Sequence, residues 1–453
     1  MIHKFYLNGL YIVLDINSGT VLDVDAQTYE VLDYYKKFDR DEIVKKLNGK
    51  YPEDEILEII FEIEMLEAQG LLYTENNYDP NVYQNNDLIK ALCLHIAHDC
   101  NLKCNYCFAS QGDFEGERLL MPFEVGKKAI DFVIEASKNR KNIEIDFFGG
   151  EPLMNFDVVK QLVEYARSKE ESNHKKFKFT ITTNAVLLDD EKMAYIDENM
   201  DNVVLSLDGR KCVNDNMRRT VNDKGSFDII IDKIKKMAAI RDADGKDYYI
   251  RGTYTKKNLD FGKDVKFLAE EGFKSISVEP VVTEPKYDYA ILEEDVDQIC
   301  AEYDQLALDY LNQKEMGLDY NFFHFNIDLN NGPCVYKRLS GCGAGRDYIA
   351  VTPEGDIYPC HQFVGNEDFL MGNVIEGIKN IEIKDDFGKA NLLKKDKCSD
   401  CWCKYFCGGG CHANAYNFNH TLMEPYAVAC KIEQRRVENA IMINIIENRK
   451  KEV

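Results

Sequence analysis

Short apolar runs separated by tight turns open the chain, and helical periodicity follows them. Phe5-Tyr6-Leu7 and Tyr11-Ile12-Val13-Leu14 flank Asn8-Gly9, a pair suited to the positive φ angles of a hairpin turn. Asn17-Ser18-Gly19 marks a second turn before Thr20-Val21-Leu22, so the pattern predicts a three-stranded meander. Helices are predicted from Ala26 to Phe38 behind the cap Asp25, around Ile43 to Leu47 behind Asp39, and from Glu53 to Gln69 ahead of Gly70. Leu71-Leu72-Tyr73 reads as a further short strand. Asn76 to Asp87 is polar, contains Pro80 and reads as a linker.

From about Ile89 the pattern changes to alternating strand-like runs and helices. The strand candidates are Leu92–Ile96, Ile143–Phe148, Lys178–Thr182, Val203–Leu207, Tyr249–Thr253 and Ser275–Val278. Helices such as Pro122 to Ala136 and Asp157 to Ala166 lie between them. Repeated βα units imply a parallel sheet, and six predict an α/β fold with a partial (β/α)6 barrel open on one side. Its active site belongs at the C-terminal ends of the strands. From about Asn331 the chain is rich in Cys and Gly, with brief strands around Pro353-Glu354-Gly355-Asp356. A long helix from about Lys431 to Asn448 closes it. The expected domains are residues 1–81, 82–331 and 332–453.

Composition narrows the function. The 453 residues carry a net charge of −23, which repels phosphate backbones and argues against nucleic-acid binding. No apolar run is long enough to span a bilayer, and Met1-Ile2-His3-Lys4-Phe5 lacks the design of a signal peptide, so a cytoplasmic protein is expected. Fifteen cysteines are many for that reducing compartment, where metal binding or catalysis outranks disulfides. Ten of them fall at or beyond Cys300.

Two cysteine groups carry the chemistry. Cys100, Cys104 and Cys107 form a CxxxCx[aromatic]C run in which Tyr106 is the aromatic. Each iron of a cubane [4Fe–4S] cluster takes one cysteine, so a loop offering three leaves one iron open. A structural zinc loop or three core thiols are the alternatives, although zinc sites favour CxxC pairs. The second group comprises Cys342, Cys360, Cys398, Cys401, Cys407, Cys411 and Cys430. A pair of zinc sites is the alternative there too. Cys93, Cys212, Cys300 and Cys403 fit no ligand pattern.

The first run resembles the signature of radical S-adenosylmethionine (AdoMet) enzymes, in which AdoMet chelates the open iron. Phe147-Phe148-Gly149-Gly150-Glu151-Pro152 matches that family's GGEP motif, which implies that the backbone and Glu151 region hold the AdoMet amino group. Thr182-Thr183-Asn184 and Ser206-Leu207-Asp208-Gly209 complete the resemblance as contacts for ribose and methionine. Asn214-Asp215-Asn216-Met217-Arg218 stands where the family has HDxxR, with Asn214 in place of His. It implies that Arg218 pairs with the AdoMet carboxylate, a surface ion pair being the bland alternative. Val278-Glu279-Pro280 is assigned near the adenine. The later cysteines resemble the SPASM domain, which holds two auxiliary clusters. By that pattern Cys342, Cys360 and Cys411 serve the first, and Cys398, Cys401, Cys407 and Cys430 the second. Cys334 is the candidate eighth ligand; without it the first auxiliary cluster keeps an open iron for a substrate thiolate. His361 and His412 adjoin ligands and tune them from outside.

Residues 1–81 resemble the winged-helix module that recognises leader sequences by β-augmentation. Leader module, radical AdoMet barrel and SPASM domain in this order look like peptide maturases that install thioethers, most like those of SCIFF peptides. The resemblance implies three [4Fe–4S] clusters, AdoMet, a Cys-rich precursor peptide with a leader, and a flavodoxin or ferredoxin as electron donor. It further implies that reductive cleavage of AdoMet gives a 5′-deoxyadenosyl radical. That radical takes a hydrogen from the acceptor residue before sulfur–carbon bonding, with an auxiliary cluster accepting the surplus electron. The alternatives are anaerobic sulfatase maturation, carbon–carbon crosslinking, and a non-catalytic iron–sulfur peptide-binding protein.

Overall fold

The computed structural model describes residues 1–76, 88–329 and 339–451. The polar stretch 77–87 and Cys334, with Gly332 and Pro333, lie outside the described residues.

The N-terminal meander forms as the pattern predicts. Strands β1 (Ile2–Leu7), β2 (Leu10–Asp15) and β3 (Val21–Val24) pair antiparallel in that order. Asn8 and Gly9 turn the first hairpin with φ of 50° and 82°. Helices α1 (Ala26–Tyr34), α2 (Arg40–Leu47) and α3 (Glu53–Ala68) follow. Asp25 caps the first by accepting from the Thr28 amide, and Asp39 the second by accepting from that of Glu42. Helix α1 stops short of Phe38, and Leu71–Tyr73 is a bend rather than a strand. Leu72 is nevertheless buried in the module core, and Tyr73 takes a left-handed φ of 51° that breaks an extended run.

Strand periodicity gives this small sheet two apolar faces. Val13 points to Val31, Ile43, Ile56 and Ile60 of the module's own core. Its neighbours Ile12 and Leu14, with Phe5 and Leu7, enter the main core of the chain. The module is therefore fused to the body through the back of its sheet.

The body alternates strands and helices: β4 (Ala91–Ala97), β5 (Leu102–Cys104), α4 (Phe123–Ala136), β6 (Asn142–Gly149), α5 (Phe156–Asn173), β7 (Lys176–Thr183), α6 (Asp190–Asn199) and β8 (Asn202–Ser206). Next come α7 (Lys211–Met217), β9 (Arg218–Thr220), α8 (Phe227–Ala243), β10 (Asp247–Tyr254), α9 (Gly262–Glu270), β11 (Ser275–Pro280), α10 (Val296–Glu315) and β12 (Asn321–Phe322). All six predicted strands are present. The sheet runs β12-β11-β10-β8-β7-β6-β4 in parallel and has two ends. Phe177, Phe179, Ile181, Val203, Leu205 and Ile250 pack its outer face against the helices.

The sheet does not end where the third region was expected to begin. β13 (Tyr348–Val351) pairs in parallel with β4 and is buried along most of its length. β14 (Asp356–Tyr358), β15 (Gly372–Asn373) and β16 (Gly377–Ile378) extend the same sheet antiparallel. The Cys-rich region thus borrows its core from the barrel, which explains why its own sequence shows so little periodicity.

The closing helix, Ala427–Lys451, packs against α10 and β1. Arg435 donates to Asp304 of α10, and Arg436 donates to Tyr303 at 2.8 Å and to Glu279 at 3.0 Å. It also meets the module, through Glu438 with His3 and Arg449 with Asp23.

Candidate functional site

The loop after β4 is built by close backbone packing. The Gly150 amide donates to the Ala97 carbonyl at 2.7 Å, and the Glu151 amide to the Asp99 carbonyl at 2.9 Å. A Cβ at Gly149 would stand 2.4 Å from the Ala97 oxygen, and one at Gly150 2.1 Å from the Asp99 oxygen. Only glycine allows the end of β6 to lie this close to the cysteine loop. Asp99 then accepts from the Cys100 amide at 2.9 Å and from Arg118 at 3.0 Å.

Glu151 faces inward. It is fully buried and accepts from the Leu153 amide, the Thr183 hydroxyl and the Asn184 amide at 3.0, 2.8 and 2.8 Å. Burial raises its carboxyl above the ordinary value against the pull of these donors. The Glu151 carboxylate thus ties β6 to the end of β7. Asn184 uses its side-chain amide on Asn101 at 2.7 Å, 3.6 Å from the Cys100 sulfur.

Asp208, Tyr106 and Arg218 form one buried unit. The Tyr106 hydroxyl lies 2.7 Å from an Asp208 carboxylate oxygen and accepts from Arg218 at 3.0 Å. The Thr253 amide donates to Asp208 at 3.1 Å. Burial pushes Asp208 up to about 6, although Arg218 pulls it down. Arg218 is 8% exposed, so it is not a surface ion pair, and its Nε has no partner among the described residues. β9 pairs with β5 so that Arg218 stands opposite Cys104. Ser206 is half-buried at the end of β8, in register with Arg251. Asn214 is buried and structural, donating to Ser226 at 3.1 Å. Glu279 is engaged by Arg436, Arg251 and His324, a clamp on the closing helix.

The cysteines fall into three groups whose members perturb one another's ionisation. Burial pushes Cys100 up to about 12 and Cys104 up to about 11, and the trio adds to this. Cys360 is pushed up to about 12, by burial and also by Cys411 and Cys342. Cys407 and Cys430 are raised to about 12 and 11, again mainly by burial, with Cys430 also feeling Cys398 and Cys401. Metal-free thiols in these places stay protonated, so thiolate ligation releases protons. Among the described residues, no three His, Cys, Asp or Glu side chains converge on a single-ion site. A cubane is larger than one ion, and its ligands need not converge on a point. Cys93 is buried, Cys300 is half-buried and Cys212 is exposed. Cys403 is buried beside the last group.

Several neighbours carried no motif. Phe108, next to Cys107, lies 5.4 Å from the ring of His361, next to Cys360. His361 also meets the Tyr348 hydroxyl at 3.2 Å. His95 and His98 are buried 3.0 Å apart beneath the loop, both held neutral by burial. The alternation of β4 put His95 inward, and only that signal was available in the sequence. His412 donates from Nε2 to the Ala390 carbonyl at 3.0 Å.

Residues 94–247 match the family model of the radical SAM superfamily, and residues 342–402 that of the SPASM iron–sulfur cluster-binding domain. The chain carries a radical SAM domain followed by a SPASM domain. These domains imply iron–sulfur clusters and AdoMet. A cysteine-type anaerobic sulfatase-maturating enzyme of Clostridium novyi is 24% identical over 331 residues, 70% of this chain and 86% of the relative. The radical SAM cyclopropyl synthase TigE of Paramaledivibacter caminithermalis is 23% identical over 434 residues, 87% of this chain and 84% of TigE. Among solved structures, anSMEcpe with bound AdoMet superposes with a TM-score of 0.65 at 20% identity, covering 79% of this chain and 99% of that one. Streptococcus suis SuiB bound to its precursor peptide SuiA superposes with a TM-score of 0.53 at 20% identity, covering 94% and 98%. At these identities the structural likeness shows the fold. No helix among the described residues is long and apolar enough to cross a membrane.

Proposed function

We propose that this chain is a radical SAM maturase that joins a cysteine sulfur to an acceptor carbon within a ribosomally made, SCIFF-type precursor peptide. The observation that carries the reading is the division of ten cysteines into one group of three beside the Gly149-Gly150-Glu151 turn and two further groups in the C-terminal region. Three thiols in a loop fit a cubane with one open iron, and seven further thiols fit two auxiliary cubanes. When bound, the clusters and AdoMet supply one-electron reduction and a 5′-deoxyadenosyl radical.

The chain's own residues do the rest. Gly149 and Gly150 let the loop close on the barrel, and Glu151 locks β6 to β7 behind it. Tyr106 and Asp208 brace Arg218 opposite Cys104, with its unpartnered Nε available to an anionic group. Residues 1–81 serve as the leader-binding module. Leu57, Phe61 and Met65 support this assignment, because they form an exposed apolar stripe along α3 at i, i+4, i+8 spacing. A likeness to SuiB over 94% of this chain, SuiB having been crystallised with its precursor peptide, favours a peptide substrate over sulfatase maturation, whose relatives match about 70% of the chain.

The test is co-expression without oxygen of this protein and a Cys-rich peptide bearing a leader. The expected product is two hydrogens lighter for each link and has one thiol fewer open to alkylation. A mass loss with all thiols still alkylatable would indicate a carbon–carbon crosslink instead. Replacing Cys100, Cys104 and Cys107 with Ala should abolish 5′-deoxyadenosine formation and leave about eight of about twelve irons.

A further inference from the structure

A buried ammonium group lies where the two C-terminal cysteine groups meet. Lys395 is 1% exposed, and its Nζ donates to the Gly409 carbonyl at 2.9 Å. Gly409 is the midpoint of Cys407-Gly408-Gly409-Gly410-Cys411, whose two cysteines belong to different groups. Burial pushes Lys395 below the usual lysine value, while Cys398, Cys407, Cys411 and Cys430 act in the opposite direction. The influence is mutual, since Lys395 draws down Cys398, Cys411 and Cys430 against their burial. The leading charged partners of this lysine are therefore all thiols. Lys404 makes a contrast: its Nζ donates to the Ser399 carbonyl at 2.8 Å, and the carboxylate of Asp400 acts on it.

An ammonium buried away from carboxylates is costly unless another anion compensates it. A cysteine-ligated cubane is such an anion, and reduction makes it more negative. A cation held beside it favours the reduced form and raises its potential, one of the levers that surrounding groups exert on a cluster. We propose that Lys395 is a shared counter-charge for the two auxiliary clusters, holding both at less negative potentials. This rests on the assignment of Cys342, Cys360 and Cys411, and of Cys398, Cys401, Cys407 and Cys430, as ligands of two clusters. Its hydrogen bond to Gly409 keeps the cation on the loop that joins them. The role is one of positioning charge, without contact to substrate.

The test is a redox titration of anaerobically reconstituted full-length protein, followed by electron paramagnetic resonance, with AdoMet added to mark the third cluster. Lys395→Gln keeps a donor for Gly409 and removes the charge, whereas Lys395→Arg keeps both. The expected result is a shift of both auxiliary potentials to more negative values in K395Q and near wild-type potentials in K395R. Unchanged potentials in K395Q at equal iron content would overturn the proposal, as would K395R shifting as far as K395Q. If K395Q assembles less iron than wild type, full iron in K395R supports the need for charge, and equal failure of K395R overturns it. Wild-type protein that saturates at about four irons would reject the auxiliary clusters themselves, a separate outcome.

Discussion

The imidazole of His3 lies flat on the indole of Trp402, with ring centroids 3.8 Å apart and planes 2° from parallel. His3 lies in the module's first strand, and Trp402 sits between Cys401 and Cys403. The same imidazole meets Glu438 of the closing helix at 3.0 Å. Ile16 extends the contact by packing with Cys398 and Leu392. The N-terminal module thus rests directly on the cysteine loop of the proposed second auxiliary cluster.

Trp402 is the chain's one tryptophan, so its fluorescence reports on this junction. His3→Ala is expected to red-shift the emission and to make the module the first part cut by protease. An aromatic pair contributes about 0.5–1.5 kcal/mol beyond its buried area, so the body should stay folded. Unaltered emission and proteolysis would show that the stack does not hold the module down.

Gly150→Ala tests whether the glycine pair serves the cysteine loop. The new Cβ meets a backbone oxygen, which cannot rotate aside as a flexible side chain would. The loop must move, and the radical cluster should be lost with about four of about twelve irons. The proposed auxiliary clusters, held from Cys342 onward, should remain. A variant with full iron and normal AdoMet cleavage would refute the packing argument.

The sequence made much of this legible, for identifiable reasons. The six central strands carried strong apolar runs because the outer face of a parallel sheet is buried along its whole length, as Phe177-to-Ile181 shows. The grouping of the cysteines was readable because their spacing along the chain is local. What stayed hidden depended on contacts between distant residues. β13 is four residues long, and only its pairing with β4 makes it part of the barrel sheet. Nothing in the Glu151 motif announced its hydrogen bonds to Thr183 and Asn184 at the end of β7. Lys395 and the His3–Trp402 stack carry no local pattern at all.

Glu279 provides a pH-dependent test of the closing helix. Burial alone would raise its carboxyl, but His324, Arg436 and Arg251 overcome this and hold it well below the ordinary carboxylate range. Burial pushes His324 itself down to about 3, so at neutral pH the two guanidinium groups carry the effect. A depressed carboxylate stabilises the fold fully above its unfolded value of 4.5 and loses that contribution as pH falls below it. Glu279→Gln should therefore cost about 3 kcal/mol at neutral pH, because it leaves Arg436 buried without its counter-ion. The deficit should shrink by about pH 3.5. Urea unfolding at the two pH values checks this, and an equal deficit at both would remove Glu279 from the account.

Deleting the whole module is a blunt test of leader binding, because Ile12, Leu14 and Phe5 belong to the main core. The stripe on α3 allows a finer one. Phe61 is 58% exposed, while Ile59, Ile60 and Ile63 anchor the helix beneath it. Phe61→Glu should then change stability by no more than about 0.5 kcal/mol, as surface substitutions do. If the stripe receives the leader, the same change buries an unpaired charge on binding, and affinity should fall at least tenfold, equivalent to about 1.4 kcal/mol. Fluorescence anisotropy with a labelled precursor peptide measures that loss, and 5′-deoxyadenosine formed without peptide should be unchanged. Full affinity in Phe61→Glu would move the leader to another surface of the module.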